Sequence, residues 1–219
     1  MDTQIQTKLA NFFSRHRLVT YKKGELIYRA GDTIDTVDFV KSGYIRLYTL
    51  NKSAEETTIN LFKPLFYITL IEALTKDVST NKYYMEAVTD VEVWKAPKSE
   101  FIEFIKPTNV STSTDINYEI LKAIAGLASD LINNLESVIP GSASQKIGSI
   151  LITLAEKYGS TKDGELSINF ETTHRLIASM AGLTRETTST QIKKLENNGL
   201  IAQRSGFIII KDLEKLREV

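Results

Sequence analysis

A chain of 219 residues is long for one domain and about right for two small ones, and 42% hydrophobic with 25% charged residues excludes disordered and low-complexity classes. Lys plus Arg and Asp plus Glu number 27 each, so no global field draws the chain to nucleic acid or to an anionic membrane, and any such attraction must be local. The absence of cysteine excludes disulfides, thiolate zinc, iron–sulfur ligation and a cysteine nucleophile. Two distant histidines, His16 and His174, cannot supply the metal set of an enzyme built on a cupin-like roll.

No stretch reaches the roughly 18 apolar residues that span a bilayer, and the opening residues, with Asp2 and no apolar core, do not read as a secretory signal. The expectation is a cytoplasmic protein with no membrane partner. An N-terminal helix carrying Ile5, Leu9, Phe12 and Phe13 comes first. Short runs rich in β-branched and aromatic residues follow: Leu18–Lys22, Glu25–Tyr28, Val37–Val40, Tyr44–Leu50, Thr57–Phe62 and Val91–Trp94. Turn signals such as Lys23-Gly24, Ala30-Gly31-Asp32 and Ser42-Gly43 separate them, which predicts an antiparallel β-roll over residues 1–111.

Between residues 112 and 139 the period becomes helical. Ile120, Ile124, Leu127, Leu131, Asn134 and Val138 recur at alternating four- and three-residue steps, with a second row, Leu121, Ala128 and Leu135, beside them. A helix with two apolar faces needs two neighbours. The first row is assigned to the same helix of a second subunit, in a coiled-coil homodimer whose register Asn134 would fix; burial of both faces within one chain is the other assignment. Pro140-Gly141-Ser142 stops the helix.

Residues 140–219 read as a second small domain. Ile147, Ile150, Leu151, Leu154, Ala155 and Tyr158 form an amphipathic helix ended by Gly159, followed by a turn over 160–164 and a short strand, Glu165–Phe170. Two close helices come next, the first capped by Thr172 or Thr173 and the second, Arg185 to about Asn197, capped by Thr184 after the turn Gly182-Leu183. The chain then forms a β-hairpin with Arg204 at its tip and a short helix from Asp212. In the second close helix Thr188, Ile192 and Leu195 share a stripe fit for burial. Arg185, Glu186, Ser189, Thr190 and Lys193 share the opposite one. That exposed set suits base edges in a major groove: Arg donates twice to guanine, Glu accepts from cytosine, and hydroxyls do either. Arg185 also stands in a helix first turn, where the macrodipole disfavours a cation. Across 172–211 six cations face two carboxylates, a local surplus of +4 that suits phosphate binding. A solvated face with no partner is the plainer reading of the same stripe.

The run from Thr173 through Gly182-Leu183-Thr184-Arg185-Glu186 to Gly199-Leu200-Ile201 resembles the winged helix-turn-helix of the Crp–Fnr family of bacterial transcription regulators. Tyr21-Lys22-Lys23-Gly24-Glu25, Ala30-Gly31-Asp32 and Phe39 to Leu47 resemble that family's sensor roll. The resemblance implies an α+β protein made of a cupin-like, cyclic-nucleotide-binding-like β-roll, a long dimerisation helix and a winged helix-turn-helix. It implies a homodimer on palindromic double-stranded promoter DNA, its half-site centres roughly 34 Å apart, with RNA polymerase as a further partner. Arg185 and Glu186 match the family's base readers; the third, usually Arg, is Thr190 here, which predicts an altered half-site. Ser144, Thr173, Arg175, Thr184 and Arg204 match phosphate contacts. The alternative is a ligand-sensing or protein-interaction module with a degenerate helix-turn-helix.

The resemblance also frames the trigger. Cyclic-nucleotide sensors of the family cradle phosphate with a Gly-Glu turn and a later Arg; here the stretches read Lys63-Pro64-Leu65-Phe66-Tyr67-Ile68 and Asn81-Lys82-Tyr83-Tyr84, with Lys82 the one nearby cation. Cyclic nucleotide is therefore disfavoured. Iron–sulfur cluster is excluded by the cysteine count, and haem is disfavoured because neither histidine falls in the sensor core. A small-molecule effector of unknown identity could be met by Phe66, Tyr67, Tyr83 and Tyr84 with Lys82, while core filling explains the same aromatics. His16 reads as a surface residue and His174 as a phosphate contact or an idle one.

Overall fold

In the computed structural model, which describes residues 3–75, 81–106, 110–138, 141–162 and 164–219, the predicted strands pair into a roll. Helix α1 (Thr3–Phe13) leads into β1 (Arg17–Tyr21), β2 (Leu26–Tyr28), β3 (Thr36–Ser42), β4 (Ile45–Leu50) and β5 (Glu56–Phe62). Next come α2 (Leu70–Leu74), β6 (Tyr84–Ala87), β7 (Val91–Pro97), α3 (Lys98–Ile105) and the long α4 (Val110–Val138). One sheet runs β1-β7-β3 and the other β2-β6-β4-β5, with β1 and β3 antiparallel to β7 and β2 and β4 antiparallel to β6. Gly43, between β3 and β4, has φ 85°, and a Cβ there would lie 2.3 Å from the Asp90 carbonyl oxygen, so only glycine fits the turn. Strand β6 and helices α2 and α3 were not anticipated, being too short to show a period of their own.

The chain forms two compact units: Met1–Tyr48 with Asn60–Leu131, and Thr49–Ile59 with Ile132–Val219. In the first, α1, α3 and α4 close an aromatic core in which Phe13 stacks on Phe39 at 4.9 Å and both contact Tyr67. A separate core of Ile27, Val40, Ile45, Met85 and Val93 fills the roll. The roll also buries a charge. Asp38 is fully buried and accepts from Lys95 Nζ at 2.5 Å, from the Tyr28 hydroxyl at 2.9 Å and from Thr36 at 2.6 Å. Burial alone would pull the Lys95 ammonium down, but Asp38 and Tyr28 outweigh it and hold it up; burial and Asp38 push the Tyr28 hydroxyl to about 12.

Helix α4 reverses the expected assignment of its two faces. Ile116 and Ile120 are buried in the chain's own aromatic core, and Ile124 and Leu127 pack on the two cores of the same unit. Asn134, expected in the seam, donates its amide to the Ile59 carbonyl at 2.8 Å. The stripe left to solvent carries Tyr118, Leu121 and Ile132, 61%, 61% and 57% exposed, with Ala125 and Ala128 between them. A seven-residue spacing shows that a helix has two apolar stripes but not which neighbour takes which, and the richer Ile/Leu stripe goes to the core. The side chains of Leu135 and Val138, and Pro140 altogether, lie outside the described residues.

In the second unit α5 (Ala143–Tyr158) starts at a capping box, Ser142 and Gln145 bonding each other's backbone N–H groups. The stretch expected as a turn is a strand, β8 (Gly159–Lys162), paired with β9 (Glu165–Ile168). Helices α6 (His174–Ala181) and α7 (Arg185–Asn197) follow, then β10 (Ile201–Arg204), β11 (Phe207–Ile210) and α8 (Leu213–Arg217). The sheet order is β10-β11-β9-β8. Ile147, Leu151, Leu154, Ile177 and Ile192, all fully buried, hold helices α5, α6 and α7 together. Among the described residues no helix is long and apolar enough to cross a membrane.

Candidate nucleic-acid interface

Local chemistry sets the two close helices. The Thr173 hydroxyl accepts from Leu176 N at 3.1 Å and starts α6; Gly182, with φ 61°, ends it in the left-handed conformation a side chain would resist. Thr184 then accepts from Thr187 N at 3.2 Å and starts α7. Thr188, Ile192 and Leu195 are at most 1% exposed, and α7 packs by this stripe. The other side leaves Arg185, Glu186, Thr190 and Lys193 exposed, as the sequence pattern predicts. Ser189 differs, being half-buried. Both hydroxyl hydrogens of this stripe go to the helix itself, Ser189 donating to Arg185 O at 2.8 Å and Thr190 to Glu186 O at 2.9 Å. Thr190, the exposed one of the two, therefore offers its lone pairs outward as an acceptor. The hairpin β10–β11 turns at Ser205 and Gly206, with φ 50° and 83°, the left-handed pair that a two-residue hairpin requires.

The cations are less available than a count suggests. Arg175 pairs with Glu56 through both its Nε and Nη2 atoms. Arg204 pairs with Glu165 at 2.9 Å, and Lys211 shares that carboxylate. The Lys211 hydrogen bond, with help from Arg204, holds the Glu165 carboxyl below the usual carboxylate range. These two carboxylates lower the local surplus from +4 to +2. Arg185, Lys193 and Lys194 make no ion pair among the described residues, so the uncommitted charge lies along α7. An open groove of about 720 Å³ within this unit runs between Glu55 and Glu56 on one rim and Thr184, Arg185 and Glu186 on the other. Ser144 sits half-buried in the first turn of α5.

Of the two histidines, His16 departs from the surface position expected of it, and the idle alternative for His174 falls. His174 is neither idle nor open: Nδ1 lies 2.8 Å from Ser189 Oγ and Nε2 3.4 Å from Gln203 Oε1. His16 is largely covered, its ring 4.8 Å from Phe12 and its side chain 13% exposed. Sequence reasoning missed Gln203, Glu56 and Glu165. The period-two pattern of the last hairpin would have marked Gln203 as the inward neighbour of Arg204, but nothing local marks the two glutamates.

In the sensor unit the expected effector set is dispersed. Tyr67 is a core ring, 3% exposed; Phe66 stacks on Phe62 at 5.6 Å; Tyr84 stacks on Tyr48 at 5.2 Å; Lys82 and Tyr83 face solvent. Among the described residues the expected phosphate cradle does not fit a phosphate. The Thr69 hydroxyl ahead of α2 accepts from Asp38 N and donates to Thr36 O. Asn81, which opens the second stretch compared with the cradle, is buried with its amide bound to backbone at Arg29 and Tyr83. Among the described residues of this stretch no side chain supplies a fixed cation. No group of three or more acidic or histidine side chains able to hold a metal exists among the described residues.

Comparison with known proteins agrees with the architecture. The family model of the cyclic nucleotide-binding domain matches residues 18–107, and that of the Crp-like helix-turn-helix domain matches residues 145–219. The chain is 24% identical over 185 residues to the global nitrogen regulator of Synechococcus elongatus, covering 83% of this chain and 80% of that one. It is 19% identical over 198 residues to the CRP-like cAMP-activated global transcriptional regulator of Mycobacterium tuberculosis, covering 90% and 85%. A solved CRP/FNR-family transcriptional regulator from Thermus thermophilus superposes with a TM-score of 0.71 over 92% of this chain and 97% of its own, at 21% identity. With both domains matched in order, and a helix-turn-helix whose packed and open stripes fall where base reading requires, the chain belongs to the Crp–Fnr family of DNA-binding transcriptional regulators.

Proposed function

We propose that this regulator works as a homodimer on palindromic promoter sites, placing one α7 in each of two successive major grooves. The division of labour is 1–111 for sensing, 112–139 for dimerisation and 140–219 for DNA binding. The observation that carries the reading is the split of α7 into a packed stripe, Thr188, Ile192 and Leu195, and an open one led by Arg185 and Glu186. Arg185 donates two bonds to a guanine and Glu186 accepts from a cytosine amino group. Thr190, its hydrogen committed to Glu186 O, accepts one bond where an arginine would donate two. The half-site is therefore read differently at that base. Lys193, Arg175 and Arg204 face phosphates, and the N-termini capped by Thr173 and Thr184 present backbone N–H groups to them; Ser144 is assigned the same role.

The dimer is supported by Tyr118, Leu121 and Ile132, an apolar stripe at heptad spacing that the protomer leaves uncovered. The trigger in this reading is a small molecule other than a cyclic nucleotide, since the described residues of the cradle hold no fixed cation, and neither haem nor an iron–sulfur cluster is assigned. Tyr67 is the retained effector residue, because its hydroxyl is buried without a partner among the described residues. Action on promoter DNA places the protein in the cytoplasm, with RNA polymerase as its downstream partner. The test is selection of duplexes from a random pool by the wild-type protein, followed by titration of the recovered site with Arg185→Ala. The substitution should cost about 1–3 kcal/mol of base discrimination. A wild type that recovers no sequence overturns the reading.

A further inference from the structure

Three elements meet at one imidazole. His174 opens α6, Ser189 lies on the recognition helix α7 and Gln203 lies on the wing strand β10. Ser189 has one hydroxyl hydrogen, and it points to Arg185 O at 2.8 Å. The 2.8 Å contact with His174 must then be donated by the ring, so Nδ1 carries a proton and Ser189 Oγ accepts it. The other ring nitrogen is then an acceptor, and the Gln203 side-chain amide 3.4 Å away bonds it when turned so that its NH2 group faces the ring. Gln203 is tied a second time, its backbone N–H donating to Glu196 Oε1 of α7 at 3.1 Å. A chain of bonds therefore runs from the carbonyl of Arg185 through Ser189 and His174 to the wing. The half-buried ring holds it from inside the fold, not from the open stripe.

We infer that His174 is a positioning residue for DNA recognition: its imidazole links the outward stripe of α7 to Gln203 in the wing, so that Arg185 and the wing meet the duplex with one fixed spacing. This rests on the DNA-reading function proposed above. It differs from a direct phosphate contact, which would add the same charge-dependent affinity to every sequence.

The test uses the full chain and two duplexes, the site recovered by selection with the wild type and a scrambled duplex of equal length. His174→Ala, Gln203→Ala and the double variant are titrated on both over a range of salt. Each single variant should lose about 2–10-fold on the selected site, the worth of one neutral hydrogen bond, with affinity for the scrambled duplex and the salt slope unchanged. The double variant should lose no more than the worse single one. Losses that multiply overturn the link. A fall on both duplexes with a salt slope shallower by about 1 makes His174 a phosphate contact instead. Should His174→Ala not fold, nitrogen NMR of the wild-type imidazole decides: a protonated Nδ1 whose signal moves in Ser189→Ala is expected, and an Nδ1 that is unprotonated or unmoved overturns the proposal. A wild type that selects no sequence removes the DNA reading itself, whereas a selective wild type with silent variants removes only the role of His174.

Discussion

Helices α7 and α4 each turn one stripe to the core and another to solvent, yet the two solvent stripes are chemical opposites. That of α7 carries Arg185, Glu186, Thr190 and Lys193, groups at ease in water until a polar partner replaces it. That of α4 carries Tyr118, Leu121 and Ile132, whose exposure costs about 25 cal/mol per Å² for as long as nothing covers it. The first is the surface of a reversible encounter with a charged, hydrogen-bonding partner. In the proposed dimer the second is the surface of a standing association between like surfaces. A regulator that must release DNA without falling apart needs both kinds, and it keeps them on different helices.

The largest expected effect separates the two faces of α4. Leu121→Glu places a charge on the uncovered stripe without touching either core, so the protomer should stay folded while sedimentation shows monomer in place of dimer. Binding to a two-half-site duplex should then weaken about 100-fold or more through lost effective concentration. Ile120→Ala, one residue away, should do the reverse. It leaves a cavity beside Ile116 and Phe101, costing about 2–5 kcal/mol of unfolding free energy, with the oligomeric state unchanged. If Ile120→Ala dissolves the dimer and Leu121→Glu does not, the faces are assigned the wrong way round.

That the faces had to be seen, while α7 was readable, has a physical cause. Helix α7 is specified locally: Thr184 caps it, Gly182 turns into it, and its single apolar stripe meets neighbours close in sequence. The roll strands were legible from alternation and turn glycines in the same way. Helix α4 has two apolar stripes, and their allocation depends on Phe13, Phe39 and Phe101, contributed by distant elements. Charge was misjudged for a related reason. The +4 of the helix-turn-helix was counted along the chain, but Glu56 reaches Arg175 from 119 residues away and Glu165 reaches Arg204 from 39. The effector set is dispersed because Tyr67 turns into the aromatic core beside Phe13 and Phe39, whereas Tyr83, just ahead of β6, stays exposed. His174 was undecided because its partners lie 15 and 29 residues away.

The reach of Glu56 gives a smaller and sharper test of the polar stripe's surroundings. Glu56→Gln removes the negative charge beside Arg175, raising the local surplus by one. If Arg175 faces phosphate in the complex, affinity should rise a few-fold on every duplex, selected or scrambled. The logarithmic salt slope should steepen by about 0.9 for the one added phosphate contact. A rise on the selected site alone would instead make Arg175 a reader of sequence, and an unchanged slope would take it off the phosphate path.

The smallest expected effect concerns how the two helices treat hydroxyl groups. On α7, Ser189 and Thr190 bond to helix carbonyls and lose nothing by facing water. Opposite α4, Tyr67 is 3% exposed and its buried hydroxyl has no partner among the described residues; Oε2 of the buried Glu119 shares that condition. Burial, with the charge of Glu119 behind it, pushes the Tyr67 hydroxyl well above its usual range. An unpaired buried hydroxyl is a liability of about 1–3 kcal/mol, so Tyr67→Phe should stabilise the fold by about 1 kcal/mol, a rise of a few degrees in thermal midpoint. A drop in its place would mean that the hydroxyl bonds a polar guest held against Glu119. The apolar helix would then carry, on its core side, the one polar site through which a small molecule bears on the dimer.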